Sequence, residues 1–275
     1  MEQNVNATKE IANVDEELAL LMAKSEKLQQ NENAGESVKA DYILLAKTGS
    51  KALKPKEKEL YIDGLKVGDF YIQKDKLNLG NDLKVVPLAF ITVYNETDGN
   101  GLGAKFFGMW NKEQAMEYPV ADGSYFDRQL PNGHILTPSN WVMVEVLGHR
   151  EIENAVIAYK RTGSRIWKAW KEDAKARSGS SATLVYKIFE DEYSNDKNEW
   201  TDINFEFAGS LLEEDKAEAL FCLKKSNSIR ESYERHTLIG NRTIEAPKTV
   251  RSAIIDARES EDSESEDSES EEIDF

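Results

Sequence analysis

From about residue 60 onward the apolar residues of this chain recur at alternate positions, where before they recurred at helical spacing. That change of period constrains the fold more than any other feature. Successive side chains of an extended strand point to opposite faces, so alternation of this kind makes strands that bury one side. β-branched and aromatic residues cluster near 67–73, 83–95, 104–110, 141–147, 154–160, 182–189 and 201–208, with turn residues between them. The expected fold is therefore mainly β with flanking helices, an α+β arrangement. Thr97-Asp98-Gly99-Asn100-Gly101 supplies the turn chemistry of a hairpin between two of these strands. Residues 111–140, with Pro119 and Pro131, read as an irregular insertion long enough to suggest a functional loop.

Helices flank the strands. Asn13-Val14-Asp15-Glu16 resembles a capping box, and Val14, Leu18, Leu21, Met22 and Leu28 follow at helical spacing, so a short amphipathic helix runs to about Gln29. It either docks on the main domain, the preferred reading, or is offered to a partner. Polar residues 30–39 form a linker, and Ala40 to Leu45 begin the main domain. A second helix, capped by Ser164 or Thr162 and running through Arg177, places Ile166, Trp167, Trp170 and Ala174 on one face and Arg165, Lys168, Lys171 and Lys175 on another. A third covers roughly 213–233. Glu213-Glu214-Asp215 suits the positive end of its dipole, and Ala217, Leu220 and Phe221 are expected to face inward. The chain thus divides into a helix and linker over 1–39, a main domain over 40–240 and a tail over 241–275.

Charge is unevenly spread. The total is 35 − 51 = −16, but residues 259–275, ESEDSESEDSESEEIDF, hold ten carboxylates and no base, which leaves 35 − 41 = −6 over residues 1–258. A single cysteine excludes an internal disulfide, and His134, His149 and His236 are too far apart in sequence for a zinc cluster, so neither metal nor cofactor is expected. Apolar runs such as Val85 to Ile91 and Trp141 to Leu147 fall well short of the roughly 18 residues that span a bilayer, and the N-terminus is too acidic for a signal peptide. A cytoplasmic, reducing compartment and no membrane partner are expected. No phosphate loop, G-x-S-x-G elbow or H-E-x-x-H pair occurs, and Gly99 to Gly103 lie between strands rather than opening a helix. Cys222 sits at an ordinary helical position and is expected to be a buried thiol. Catalysis is not expected.

Basic residues gather in two places. Residues 47–58, KTGSKALKPKEK, hold five lysines against one glutamate, and residues 160–177 hold Lys160, Arg161, Arg165, Lys168, Lys171, Lys175 and Arg177 against Glu172 and Asp173. Such patches suit a phosphate backbone, whose neutralisation releases counterions; the plainer reading is a solvated face. Single-stranded nucleic acid also needs flat apolar rings on which bases stack. The candidate contacts are Lys51, Lys54, Lys56, Lys58, Lys105, Lys160, Arg161, Arg165, Lys168 and Lys187 for charge, with Phe107, Tyr159 and Tyr186 for stacking. Alternation puts Lys105, Phe107 and Met109 on one face and Phe106, Gly108 and Trp110 on the other. Any single strand aromatic is more readily core than platform, and Trp167 and Trp170 are expected in the core.

The tail combines self-repulsion and little apolar mass, which keep 241–275 disordered, with a Phe at its end. A serine-interrupted acidic run stopping on Glu272-Ile273-Asp274-Phe275 resembles the C-terminal tails of bacterial and phage single-stranded DNA-binding proteins. In the body, Lys66-Val67-Gly68-Asp69-Phe70-Tyr71, then Leu79-Gly80, then Leu83 to Phe90, is similar to a phage and prophage protein family with the pattern G-D-F, L-G, V-x-P-L. A strand leading into Thr162-Gly163-Ser164 at a helix start also fits that family, and the similarity covers about residues 60–190. Together the resemblances imply a phage-type single-stranded DNA-binding protein built on an elaborated oligonucleotide-binding β-barrel. They imply sequence-independent coating of DNA in replication or recombination. They also imply that Glu271, Glu272, Ile273, Asp274 and Phe275 recruit replication, recombination or transcription proteins in a host cytoplasm. A different class stays open: a virion or assembly protein whose acidic tail guides packing. A DNA mimic would need acidity on the folded body, and −6 is too weak for that.

Overall fold

The computed structural model describes residues 15–25, 40–99, 104–160, 163–177, 179–194 and 199–234. Helix α1 (15–25) precedes β1 (Asp41–Leu45), β2 (Phe70–Ile72), β3 (Leu77–Gly80) and the long β4 (Leu83–Thr97). Then come β5 (Phe106–Asn111), α2 (Lys112–Met116), β6 (Arg128–Gln129), the long β7 (Ile135–Val146) and β8 (Ala155–Tyr159). Helix α3 (Ser164–Ala176), β9 (Leu184–Ser194), β10 (Glu199–Ser210), α4 (Leu211–Glu214) and α5 (Lys216–Glu234) complete the order. The hairpin glycine Gly99 has φ 75°, as a turn there requires; Asn100 and Gly101 lie outside the described residues, as do Asn13, Val14, Leu28, Thr162, the 30–39 linker and the 241–275 tail.

The strands form one sheet in the order β10, β9, β4, β7, β8, β1, β2, β3, with β5 beside β4 and β6 beside β7. Within that order only β1 and β8 run parallel. The spine is β4 with β7, paired from Val85 and Val146 to Thr97 and Ile135. Pro87 sits mid-strand in β4, where it cannot donate to a ladder, and the register shifts between Pro87 and Ala89. Along its other edge β4 pairs with β9 over Leu83–Val85 and with β5 over Val93–Thr97. One end of the spine therefore carries the main body and the other a smaller arm. In the arm, Tyr94, Trp110, Ala115, Tyr118, Leu130 and Leu136 form their own core, so the 111–140 insertion is partly built of α2, β6 and the start of β7.

One face of the sheet wraps α3. Ile166, Trp167, Trp170 and Ala174 pack with Phe90, Val142, Val144, Ile157, Tyr186 and Ile203, and also with Ile43, Phe70 and Ile72 near the sheet's opposite end. Strands from both ends can share one helix's core only if the sheet curls, and it forms a half-barrel. Side chains bridge the remaining gap. The outer edge of β10 offers carbonyls at alternate residues: Thr201 accepts from the Lys47 ammonium just past β1, and Ile203 accepts from the Tyr159 hydroxyl of β8 at 2.9 Å. An edge that would otherwise invite another strand is thereby occupied.

The other face carries α1 and α5, with Leu18, Val86, Leu88, Val185, Leu211, Ala219, Cys222 and Leu223 in one cluster. The first helix docks, as preferred from the sequence. Arg230 is buried and ties α1 to the sheet, donating to the carbonyls of Leu88 and Ser25 and to the Ser181 hydroxyl. Lys24–Glu231, Lys216–Asp15 and Lys224–Glu17 pairs flank the contact. Cys222 is a fully buried thiol, its pKa pushed up to about 12 by burial.

Two helix expectations are corrected. The inward face of α5 is Ala219, Cys222, Leu223, Ser226, Asn227 and Arg230, with Leu220 partly buried against the same cluster, whereas Ala217 and Phe221 are exposed. The cause is Asp215, which ends α4 in an extended conformation and whose carboxylate accepts from the amides of Ala217 and Glu218, starting a new helix in a new phase. At α3 the capping position is Gly163, without a side-chain cap, and Ser164 instead accepts from the Asn140 amide at 3.0 Å. No helix among the described residues is long and apolar enough to cross a membrane.

Candidate nucleic-acid interface

The two basic segments, distant in sequence, meet at neighbouring residues of β10. After β1 the chain turns through Lys47, whose ammonium reaches the Thr201 carbonyl, and then packs Ala52 and Ile62 beside Tyr71 of β2. That anchoring leaves Lys51, Lys54, Lys56 and Lys58 exposed. The second segment leaves β8 at Lys160 and enters α3 at Ser164. Between them Gly163 lies so close to β10 that a Cβ there would stand 2.7 Å from an Asp202 carboxylate oxygen and 3.0 Å from the Tyr159 ring. Glycine is what allows this approach. Lys160, Arg165 and Lys168 project outward, and none forms an ion pair among the described residues.

Beside this junction a cleft of about 670 Å³ opens between Lys47, Glu192, Tyr193, Ser194, Trp200 and Thr201. The rings of Tyr193 and Trp200 face each other across β9 and β10, centroids 6.0 Å apart and 18° from parallel. The Tyr193 hydroxyl accepts from the Asn204 amide at 3.0 Å, and burial, with Asp191 nearby, pushes its pKa up to about 12. Burial also raises the Asp202 carboxyl, against the pull of Lys47. Sequence reasoning missed Tyr193 and Trp200 because β9 and β10 extend past the expected strand ends at 189 and 201. Two aromatics placed symmetrically about the polar stretch Ser194 to Glu199 are the signal that could have found them.

Other expected contacts are placed differently. Tyr159 and Tyr186 offer no ring to a base: both are fully buried against α3, with Tyr159 bonded to Ile203 and the Tyr186 hydroxyl donating to Asp173 at 2.8 Å. They alternate onto the concave side of the sheet, and the helix covers that side. Burial, reinforced by Asp173, raises the Tyr186 phenol beyond the ordinary tyrosine range. Lys187 is half-buried and paired with Asp82 at 2.8 Å, away from the cleft. Arg177 is held by Asp173 and covers the Phe207 ring at 3.8 Å. Lys171 lies over Trp167 and is lowered to about 8, mainly by burial and then by Lys175 and Arg230. Arg161 and Glu271 to Phe275 lie outside the described residues.

Lys105 and Phe107 belong to the arm. Phe107 stacks on His134 with centroids 4.2 Å apart, and the Lys105 ammonium lies 5.2 Å over the same ring. His134 Nδ1 meets the buried Glu96 carboxylate at 2.7 Å, which also accepts from Trp110. A register shift between Glu96 and Thr97 breaks the expected alternation and brings Phe107 onto the Glu96 side. Thr92, which joins Asn140 and so the start of α3, is five residues before Thr97. At about 3.3 Å per residue the arm's stack is roughly 17 Å from the β8–α3 junction. Further out, Tyr125 is 90 % and Phe126 69 % exposed, on a turn flanked by Asp122 and Asp127.

A mainly β domain with a curled half-barrel sheet, a few helices and a lysine- and arginine-bearing rim is the class these features define. Residues 16–231, well over half of the chain, match the family described as Pam3 phage gp34-like protein, and the chain belongs to that phage family. No curated protein and no solved structure matches it.

Proposed function

We propose that this protein binds single-stranded DNA without sequence preference, coating and protecting it during phage replication or recombination. The observation that carries the reading is the meeting of the 47–58 and 160–168 segments on adjacent residues of β10, beside a cleft that holds an aromatic pair. Lysines and arginines there would neutralise phosphates while rings accept bases, a combination that is tolerant of sequence because every base has a flat face. Support for an elaborated oligonucleotide-binding barrel is the curled, largely antiparallel sheet around α3, extended here by the β5–β6 arm. The 259–275 segment would recruit replication, recombination or transcription proteins through its acids and Phe275. The test is fluorescence anisotropy of labelled oligo-dT and duplex DNA across a salt series. Tighter binding of the single strand is expected, with log K falling against log salt at a slope near −3 if four or five phosphates are neutralised. Duplex preference or salt independence would overturn the reading.

One observation favours a second reading, an assembly protein. The exposed Tyr125 and Phe126, set among Asp122 and Asp127, form an apolar tip that repels phosphate and suits another protein surface. Sedimentation of the native chain and of Tyr125→Ser/Phe126→Ser separates the two: assembly that depends on the tip, without DNA binding, selects this reading.

A further inference from the structure

We infer that the cleft between β9 and β10 seats one base of a bound single strand on the Trp200–Tyr193 stack, with the flanking phosphates carried by the rim. This deepens the single-strand reading and rests on it. Four of the chain's five tryptophans, Trp110, Trp141, Trp167 and Trp170, are buried in core; Trp200 is the one that is only partly buried. Its ring is backed by Tyr193, so it presents a fixed, flat surface toward the cleft rather than a mobile one. The cleft is within the size range of small-molecule sites and admits a nucleotide unit. Its lining carries Lys47 and Glu192, and the Asp191 and Asp202 carboxylates act on its Tyr193 wall, so the interior disfavours a phosphate and favours the neutral part of a nucleotide. Uncompensated positive charge lies outside, at Lys160 and Arg165 across Gly163 and at Lys51 and Lys54 past Lys47. A backbone running between these two groups would pass Thr201 and Asp202 and could turn a base onto Trp200.

The burial pattern makes Trp200 the tryptophan most open to quenching by a ligand in the cleft, and Trp200→Phe separates its signal from that of the buried four. The full chain is titrated with end-labelled oligo-dT while label anisotropy and tryptophan emission are both followed. Binding by anisotropy should be accompanied by quenching at the same midpoint. Trp200→Phe retains a ring, so affinity stays within a few-fold while the quenching disappears. Trp200→Ala should weaken binding by roughly 5- to 150-fold, the span that base–aromatic stacking supplies. Matching thermal melts of both variants and the native chain exclude misfolding as the cause. If anisotropy reports binding but emission does not change and Trp200→Ala binds like the native chain, the seat is refuted and the single-strand reading survives. If no oligonucleotide changes the anisotropy, the single-strand reading itself fails.

Discussion

Replacing Tyr159 with Phe removes one oxygen atom and distinguishes a structural tyrosine from a DNA-contacting one. The hydroxyl donates to the Ile203 carbonyl at 2.9 Å, and the residue is 1 % exposed. Without it a carbonyl on the outer edge of β10 loses its partner where water has no ready access. An unsatisfied buried acceptor costs about 1–3 kcal/mol. For a domain of this size each kcal/mol moves Tm by about 2–4 °C, so a drop of roughly 2–12 °C is expected in thermal unfolding, with a lowered midpoint in urea. Oligo-dT affinity should stay within two-fold of native, since the ring faces α3. Burial, and secondarily Asp202, raises this phenol well above its ordinary value of 10.0, so the folded state holds the proton more tightly than the unfolded chain. The contribution is then complete below about pH 10 and is lost as pH rises further, so the native chain should lose more stability under alkali than Tyr159→Phe. Unchanged stability together with a clear loss of DNA affinity would refute the closure of the half-barrel through this residue.

Three further outcomes are expected. Alanine at Lys160, Arg165 and Lys168 should weaken oligonucleotide binding and flatten its salt slope by about 2, at roughly 0.7 per phosphate contact. The same change at Lys216 and Lys224, already paired with Asp15 and Glu17, should do far less, and equal losses would misplace the interface. Lys225→Met should destabilise by about 3 kcal/mol at neutral pH, because it strands the buried Glu145 carboxylate. Burial already holds that carboxyl above its usual range while Lys225 draws it down, so in the variant it rises further. The folded state then binds the extra proton, and the deficit should shrink as pH falls from 7.5 toward 5; a pH-independent deficit in urea titrations would contradict this. Deleting 259–275 should tighten DNA binding several-fold at low salt. A random-coil segment of 35 residues has a root-mean-square reach of about 33 Å, so the ten carboxylates of 259–275 would compete for the rim. Phe275→Ala should leave affinity unchanged while abolishing partner recruitment, and weaker binding after the deletion would exclude competition.

Local chemistry made much of this protein readable from its sequence. Alternation of β-branched and aromatic residues located β2, β4, β5, β8, β9 and β10 and much of β7, because the side-chain period of a strand is a property of a few consecutive residues. The apolar face of α3 was legible for the same reason. The short edge strands β3 and β6 carry too little pattern to register, and the inward face of α5 was misphased by the single cap at Asp215.

What only the tertiary structure decided is where those faces point and which distant segments meet. Tyr159, Tyr186 and Phe107 read alike in sequence as strand aromatics next to basic residues. Two are buried under α3, and the third is turned onto His134 by a register shift. The rim is assembled from residues near 50 and near 160 because the sheet curls until both reach β10, and the cleft is lined by Tyr193 and Trp200 because two strands run past the ends their patterns suggest. Periodicity specifies which side of a strand is apolar. Curvature, register and contacts between remote segments depend on the sum of many packing interactions, so no single stretch of residues encodes them.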